Sequence, residues 1–445
     1  MVSTSPLNLP IRWLNFDRPA DILTLPFETL PIVMQSAVHD RQQDIVCVLQ
    51  DDPDPYRADT DRVEVTGQVA GQVAGQIARH KRVAILVADP WECLVSAIAA
   101  HTLGCDLFLC DPGWSNAERT DVFAQIHPAV TVHDRILARS SDQRIATSRR
   151  IIVERSLTDP HITSNTVTPQ INQLTRHPDR DPYWTIPTGG TSGRIRFACH
   201  TWRTLTASAI GVRDFFQRDR LNSFCCLPVF HVSGLAQFIR AIVSGGRLAL
   251  TQPAALRPDQ TPPDRDLRSF WLSLVPTQLQ RLIDRPDWLT WLQQFDVIFL
   301  GGAPAWVELL DTARSQGLRL APTFGMTETA SQVATLHPND FLAGRTGCGR
   351  VLPHADLTIL TISPSSHVTQ NLTQNLIQSP VNISSEPPRN TGLITIRARS
   401  LFHGYYDASL NMANPTTAAT LGRRTISATS MLMASFISWD APVKK

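Results

Sequence analysis

The feature that most constrains the fold is an apolar run, RVAILVAD, at residues 82–89. Uninterrupted apolar runs of this length are typical of parallel strands that are buried on both faces. An amphipathic stretch follows from Trp91 to Leu103, and a second apolar run, CDLFLCDP, occupies residues 105–112. This order predicts a strand, helix, strand unit, and therefore an α/β fold built on a parallel sheet.

The same alternation returns in the second half of the chain. The run FDVIFLGGAP at residues 295–304 is followed by a helical pattern in Trp306–Arg314 and by a short strand near Leu318–Pro322. A four-residue repeat, GQVA, at residues 66–80 predicts a packing helix whose glycines allow close approach. Parallel α/β layering is therefore predicted twice.

The last third of the sequence changes in character. Residues 361–390 are rich in Ser, Thr, Asn, Gln and Pro, and they predict an inserted surface loop. Residues 391–406 alternate like the strands of a smaller β unit. The tail, residues 407–445, has no consistent period and only two carboxylates, Asp407 and Asp440.

Composition excludes several classes of protein. The 445 residues are 42% hydrophobic and 18% charged, which is typical of globular chains, and a net charge of +2 argues against a nucleic-acid surface. Eight cysteines occur without C-x-x-C spacing, mostly inside apolar runs, which favours buried thiols in a reducing compartment. No signal peptide and no run long enough to span a membrane is evident, so we expect a cytoplasmic protein.

The segment PTGGTSGRIR, Pro187–Arg196, has the composition of a phosphate-binding loop. Glycines allow backbone N–H groups to gather around an anion, hydroxyl side chains add donors, and arginines offer charge-assisted contacts. The P-loop pattern is not met, because no Lys-Ser or Lys-Thr pair follows the glycines. Taken alone, the segment is also compatible with a flexible turn.

Three further segments follow in order: LPVFHVSG (227–234), LGGAP (300–304) and FGMTETAS (324–331). Residues in these segments, and Arg240 nine residues after His231, also have ordinary structural explanations. Thr327 and Glu328 fit the start of a helix, with threonine as the cap. His231 fits a core histidine, and Arg240 fits a surface arginine with a snorkelling stem.

Together with residues 391–406, these segments resemble the AMP-forming adenylating superfamily of acyl- and aryl-CoA ligases, over roughly residues 20–406. The resemblance is closest to the branch that activates o-succinylbenzoate. It implies a large AMP-binding domain, residues 1–406, with two layered α/β subdomains and a small β-barrel-like subdomain. It also implies ATP and Mg²⁺ as cofactors, CoA as co-substrate and a small-molecule carboxylic acid as substrate.

The resemblance assigns roles to individual residues. His231, Thr327 and Glu328 would be catalytic, with Glu328 also holding Mg²⁺, and His231, Arg240 and Ser331 would contact the acid. The nucleotide would contact two groups of residues: the loop residues Thr188, Gly189, Gly190, Thr191, Ser192, Gly193, Arg194 and Arg196, and an adenine slot of Gly301, Gly302, Ala303, Phe324 and Gly325.

The resemblance ends after Tyr406. Family members continue into a ribose-binding aspartate, an acidic hinge and a small C-terminal α+β domain with a catalytic lysine, and residues 407–445 contain none of these motifs. We therefore expect a truncated tail and impaired ligase activity. Two alternatives stay open: a ligase for another aromatic or fatty acid, and a non-catalytic protein that binds nucleotide or adenylate. The oligomeric state cannot be read from these patterns.

Overall fold

The computed structural model describes residues 11–16, 30, 32–49, 81–135, 150–155, 181–189, 195–252, 256–260, 266–361, 392–406 and 426–427. The predicted helix at 66–80 lies outside these residues. The described strands are β1 (Arg12–Asn15), β2 (Arg82–Leu86), β3 (Asp106–Leu109), β4 (Val130–Arg135), β5 (Arg150–Arg155), β6 (Trp184–Gly189), β7 (Ile195–His200), β8 (Asn222–Cys225), β9 (Arg247–Leu250), β10 (Phe270–Leu274), β11 (Val297–Leu300), β12 (Leu320–Met326), β13 (Ser331–Thr335), β14 (Arg350–Val351), β15 (Ala355–Thr361), β16 (Gly392–Ala398) and β17 (Ile426–Ser427).

The described α-helices alternate with these strands along most of the chain. They are α1 (Ile32–Leu49), α2 (Pro90–Thr102), α3 (Asn116–Ile126), α4 (Trp202–Phe216), α5 (Val232–Ser244), α6 (Pro276–Ile283), α7 (Pro286–Leu292), α8 (Val307–Ser315) and α9 (Pro338–Leu342). The strand, helix, strand unit predicted from residues 82–112 is therefore confirmed, as are the predicted strand and helix between residues 295 and 314.

Two large sheets carry the fold. The first has the strand order β5-β4-β2-β3-β6-β7, and its inner strands β4, β2, β3 and β6 are parallel neighbours. The second has the order β1-β9-β8-β10-β11-β12-β13-β14, with parallel pairing from β9 through to β12. Antiparallel strands close the described edges of both sheets. The predicted double α/β layering is confirmed.

The two sheets share a layer of helices. One core cluster joins side chains of β2, β3 and β6 to side chains of β8 and β9 through helices α2, α4 and α5. Helix α3 covers the other face of the first sheet, and α6, α7 and α8 cover the other face of the second. The result is a layered α/β/α/β/α arrangement, in which the central helices are surrounded by protein.

This layering corrects one expectation. The stretch Trp91–Leu103 was predicted to be amphipathic, but helix α2 is buried on nearly all sides, from Trp91 and from Cys93 through Ala100. An amphipathic pattern belongs to a helix with one face in water. Helix α2 lies between two sheets, and therefore even its serine, Ser96, is 0% exposed.

A third, smaller sheet contains β15, β16 and β17 in that order. Strands β15 and β16 form an antiparallel pair in which Thr361 lies opposite Gly392. The predicted polar loop at 361–390 connects these strands, and all but its first residue lies outside the described residues. Of the tail at 407–445, only β17 is described, and it pairs with β16 through Ile396 and Ile426.

Candidate active site

The glycine-rich segment joins the strands of an antiparallel hairpin. In the register of β6 and β7, Thr188 lies opposite Arg196 and Gly189 opposite Ile195. The remaining loop residues, Gly190, Thr191, Ser192, Gly193 and Arg194, lie outside the described residues. Directly opposed residues of an antiparallel pair project to the same face of the sheet. The hairpin therefore presents the hydroxyl of Thr188 and the guanidinium of Arg196 side by side.

A sharp turn follows strand β12. Residues Thr327–Thr329 form a single 3₁₀ turn, and the next two residues have left-handed backbone conformations, with φ of 54° at Ala330 and 108° at Ser331. Such conformations are costly for residues other than glycine, and they concentrate at functional sites. No α-helix begins here, and the cap of the 3₁₀ turn is Met326, so Thr327 is not the cap that the helix-start explanation requires; Glu328 does lie in the first turn.

Glu328 lies on this turn and is buried, with 6% of its surface exposed. Its Oε1 atom accepts a hydrogen bond from the hydroxyl of Tyr405 at 2.5 Å, and its backbone carbonyl accepts one from the N–H of Phe402 at 2.9 Å. Burial and the bond to Glu328 raise the pKa of Tyr405 to about 12. Tyr405 is therefore neutral at physiological pH, and its hydroxyl donates to Glu328.

Arg196 lies on the other side of Tyr405. Its guanidinium carbon is 4.3 Å from the centre of the Tyr405 ring, within the range of a cation–π contact. The ring thus contacts a cation predicted to bind phosphate, while the hydroxyl contacts a carboxylate predicted to hold a metal ion. Tyr405 was not among the predicted site residues, although it lies in residues 391–406, which carried part of the resemblance.

His200 is a second residue that the sequence analysis missed. It is fully buried; its Nε2 atom is 2.8 Å from the carbonyl oxygen of Thr327, and its Nδ1 atom is 3.0 Å from the hydroxyl oxygen of Thr204. A carbonyl oxygen only accepts, so Nε2 carries the proton. Burial lowers the pKa of His200 to about 4, which keeps the ring neutral. Through the bond from Nε2, the His200 side chain holds the backbone of the turn at Thr327.

Arg240 and Ser331, both predicted to contact the acid, lie together. Nη2 of Arg240 donates to the hydroxyl oxygen of Ser331 at 3.2 Å and to the side-chain oxygen of Gln332, and the guanidinium lies 5.0 Å from the ring centre of Phe299. Arg240 is 3% exposed, which rules out a snorkelling surface arginine. The structure therefore brings helix α5 and strand β13 together around a buried cation.

Within the described residues, no carboxylate pairs with Arg240. The Nε atom is buried without a hydrogen-bond partner, and burial lowers the pKa of the guanidinium to about 10. An uncompensated buried charge is costly, and buried charges in proteins are normally paired. The arrangement suits a ligand that brings its own negative charge.

His231 precedes helix α5 as its N-cap residue. Its side chain is exposed, which rules out the alternative of a core histidine. The surrounding protein still lowers its pKa by desolvation, against an opposing effect of the negative charge of Asp111. His231 is therefore accessible to a ligand and neutral near pH 7.

The residues of the predicted adenine slot differ in their exposure. Gly302 and Ala303 are exposed after strand β11, and Gly302 has a φ of +80°, a conformation that favours glycine. Phe324, by contrast, is 3% exposed and packs in a core cluster with Val333. Its ring is packed among these side chains and is therefore not exposed for stacking on a base.

The remaining two glycines of the slot are required by close packing. A Cβ atom at Gly301 would lie 2.4 Å from the hydroxyl oxygen of Thr323, and one at Gly325 would lie 2.2 Å from the carbonyl oxygen of Ser331. Distances this short do not occur between real atoms. Gly325 therefore lets β12 approach the residue that contacts Arg240.

Glu328 fits a role as a magnesium ligand. No group of three His, Cys, Asp or Glu side chains that could hold a metal ion occurs among the described residues. Mg²⁺ is commonly held by one or two carboxylates, with phosphate oxygens and water completing an octahedron. A single carboxylate, with one oxygen already fixed by Tyr405, matches that donor set.

The model of the AMP-binding enzyme family matches residues 67–406. The chain belongs to this family. The match covers the hairpin loop, the turn at Glu328 and the strand-like residues around Tyr405, and it confirms the family predicted from the sequence. Within the described residues, this AMP-binding enzyme has no helix long and apolar enough to cross a membrane.

Curated relatives of this AMP-binding enzyme include 2-succinylbenzoate–CoA ligases. The protein from Geobacillus kaustophilus is 31% identical over 182 residues, which cover 39% of this chain and 35% of that protein. The protein from Listeria innocua is 27% identical over 223 residues, which cover 47% of this chain and 46% of that protein. The chain thus matches less than half of the length of these relatives.

Solved structures share the fold. The o-succinylbenzoate CoA synthetase of Bacillus subtilis in complex with an acyl-adenylate intermediate has a TM-score of 0.56 at 16% identity, over 88% of each chain. The same synthetase with ATP and a magnesium ion has a TM-score of 0.55 at 17% identity, over 88% of this chain and 70% of that one. The layered architecture of this AMP-binding enzyme is therefore that of the adenylating large domain.

Proposed function

We propose that this AMP-binding enzyme activates o-succinylbenzoate with ATP, forming an acyl adenylate and then a CoA thioester. The observation that carries the proposal is Arg240, a buried cation beside Ser331 without a described counter-ion. A substrate with two carboxylates can react through one and pair with Arg240 through the other. The names of the curated relatives support this choice of acid.

Recognition by Arg240 follows from its surroundings. The contacts with Ser331 and Gln332 occupy Nη2, and in the described part of the chain the Nε atom has no hydrogen-bond partner. A guanidinium has five N–H donors in a planar fork, which suits two-point recognition of a carboxylate. The entering charge would compensate the buried cation, and so the pocket would favour a dianionic acid over a monoanionic one.

Nucleotide recognition would use the hairpin and the turn. Thr188 and Arg196 project from one end of β6 and β7, and Thr327 and Glu328 lie on the turn that His200 and Tyr405 hold. A Mg²⁺ ion at Glu328 would neutralise phosphate charge. The exposed backbone at Gly302 offers a flat surface for the base.

The chemistry requires positioning and charge stabilisation more than acid–base groups. A carboxylate oxygen of the acid attacks the α-phosphorus of ATP, the bond to the bridging oxygen breaks, and pyrophosphate leaves. Thr327 would contact the α-phosphate, and Arg196 would stabilise the charge of the departing pyrophosphate. His231, exposed and neutral, would contact the acyl group. The thiolate of CoA would then displace AMP.

The test is mass-spectrometric detection of products formed by the purified chain with ATP and Mg²⁺. We expect acyl adenylate from o-succinylbenzoate and much less from 4-oxo-4-phenylbutanoate, which lacks the ring carboxylate. Arg240→Gln should abolish this preference. Equal yields from both acids would contradict the substrate assignment. ATP binding without any adenylate would instead support a non-catalytic nucleotide-binding protein.

A further inference from the structure

Tyr405 contacts two charged side chains of the proposed nucleotide site, Glu328 and Arg196. We propose that it is a positioning residue: it keeps Glu328 and Arg196 from neutralising each other, so that the carboxylate stays available to Mg²⁺ and the guanidinium to phosphate. The inference rests on the proposed binding of ATP and Mg²⁺. It assigns a role to a residue that the sequence motifs left without one.

The geometry around Tyr405 is specific. Its hydroxyl donates to Oε1 of Glu328 at 2.5 Å, while its ring lies 4.3 Å from the guanidinium carbon of Arg196. In the part of the chain that the structure describes, Glu328 and Arg196 form no ion pair with each other or with any other residue. Tyr405 therefore contacts both of these oppositely charged side chains, one through its hydroxyl and the other through its ring.

A neutral spacer has different consequences from an ion pair. A bidentate arginine would occupy both carboxylate oxygens and fix its own N–H groups on them. A tyrosine hydroxyl orients one oxygen and leaves the negative charge in place. A ring face holds the guanidinium plane without using its N–H donors. Both groups are thus oriented before the nucleotide arrives, which lowers the cost of ordering them on binding.

The backbone of Tyr405 is held firmly. The N–H of Cys199 donates to the carbonyl of Gly404 at 2.9 Å, and that of Tyr406 donates to the carbonyl of Phe197 at 2.8 Å. Residues 403–406 therefore run beside β7 like an added strand. Arg196 lies on β7 itself, and so one local pairing fixes the ring against the guanidinium.

Tyr406 provides a matched control. It is the next residue, but its ring lies 4.9 Å from that of Phe108, and its hydroxyl is 3.5 Å from the carbonyl oxygen of Ile126. In the contacts that the structure describes, Tyr406 touches neither Glu328 nor Arg196. Replacing it by phenylalanine makes the same chemical change one position away.

The experiment compares Tyr405→Phe, Tyr405→Leu and Tyr406→Phe in the full chain. Binding of a fluorescent ATP analogue is titrated with and without Mg²⁺, and thermal unfolding checks that each variant is folded. For Tyr405→Phe we expect about a tenfold smaller gain in affinity from Mg²⁺, comparable to a lost hydrogen bond to a charged group. Its affinity without Mg²⁺ should be unchanged, because the ring still supports Arg196.

Tyr405→Leu should lose affinity both with and without Mg²⁺, whereas Tyr406→Phe should match the unmodified chain in both titrations. If Tyr405→Phe and Tyr406→Phe behave alike while the unmodified chain shows magnesium-dependent binding, the positioning role is wrong and the proposed function stands. If the unmodified chain shows no magnesium-dependent binding, both are overturned.

Discussion

The Nε2 atom of His200 lies 2.8 Å from the carbonyl oxygen of Thr327, and this bond joins strand β7 to the turn that carries Glu328. The turn has two consecutive left-handed residues, Ala330 and Ser331, and it therefore depends on contacts from outside. His200 supplies one such contact, and the N–H of Phe402, which donates to the carbonyl of Glu328, supplies another.

Replacing His200 by phenylalanine should weaken the turn. The buried carbonyl of Thr327 would lose its donor, and we expect a loss of about 1–3 kcal/mol in the free energy of unfolding, measured with urea. Adenylate formation should fall further than this loss explains, because Thr327 moves. His354→Leu is the control, since neither ring nitrogen of His354 has a hydrogen-bond partner among the residues that the structure describes. Equal losses of activity in the two variants would contradict the role of His200.

Arg240→Met should separate stability from recognition. A methionine of similar length removes an uncompensated buried charge, so the melting temperature should stay unchanged or rise. Affinity for o-succinylbenzoate should fall by more than about tenfold, because the loss of one partner of a buried charge pair costs about 2–5 kcal/mol. Calorimetric titration measures the affinity. A large drop in melting temperature would instead indicate that Arg240 is structural.

Gly325→Ala and Gly189→Ala should differ in their effect on stability. The new Cβ at Gly325 would lie 2.2 Å from the carbonyl oxygen of Ser331, whereas at Gly189 no atom of the described residues lies within 4 Å. Overpacking of this kind costs about 1–3 kcal/mol. Chemical denaturation should show that loss for Gly325→Ala only, accompanied by weaker binding of the acid through the displaced Ser331. Similar stability of both variants would be inconsistent with the close approach of β12 and β13.

Stability should fall on acidification. Burial lowers the pKa of His101, His200 and His354 to about 4, whereas the unfolded chain protonates histidine near its ordinary value of about 6.5. Between these pKa values the unfolded state binds more protons than the folded state. The free energy of unfolding therefore rises with pH and levels off above about pH 6.5. As the pH falls from 7.5 to 5, each of these histidines should lower the free energy of unfolding by about 2 kcal/mol. His354→Leu should remove one such contribution in urea titrations, and an unchanged pH slope would contradict this account.

Much of the fold could be predicted from the sequence, because buried parallel strands leave continuous apolar runs such as the one that became β2. The burial of α2 could not. Its pattern includes Ser96 and Glu92, which suggest a solvent face, whereas Arg41 from helix α1 satisfies both. A partner fifty residues away leaves no local signal.

A candidate site residue could be selected from the sequence where one segment carries the pattern, as with Glu328. It was not predictable where two segments share it. His200 is a histidine at the end of an apolar strand, and Tyr405 is one of two adjacent tyrosines. Their roles arise only when β7, the turn and residues 402–406 come together. The ring of Phe324 was misassigned for the same reason, since its burial depends on β13.

Because Thr361 pairs with Gly392, the end of the β15–β16 pair is a suitable site for inserting another domain. The chain leaves the small sheet and returns to it at adjacent positions, so the closure of the intervening segment is already secured by the strands. Each doubling of such a segment adds only about 0.6 kcal/mol of closure entropy. A reporter domain with neighbouring termini could therefore be inserted between these two residues without shifting the register of the sheet. The residues between Thr361 and Gly392 could equally be replaced by a tight turn.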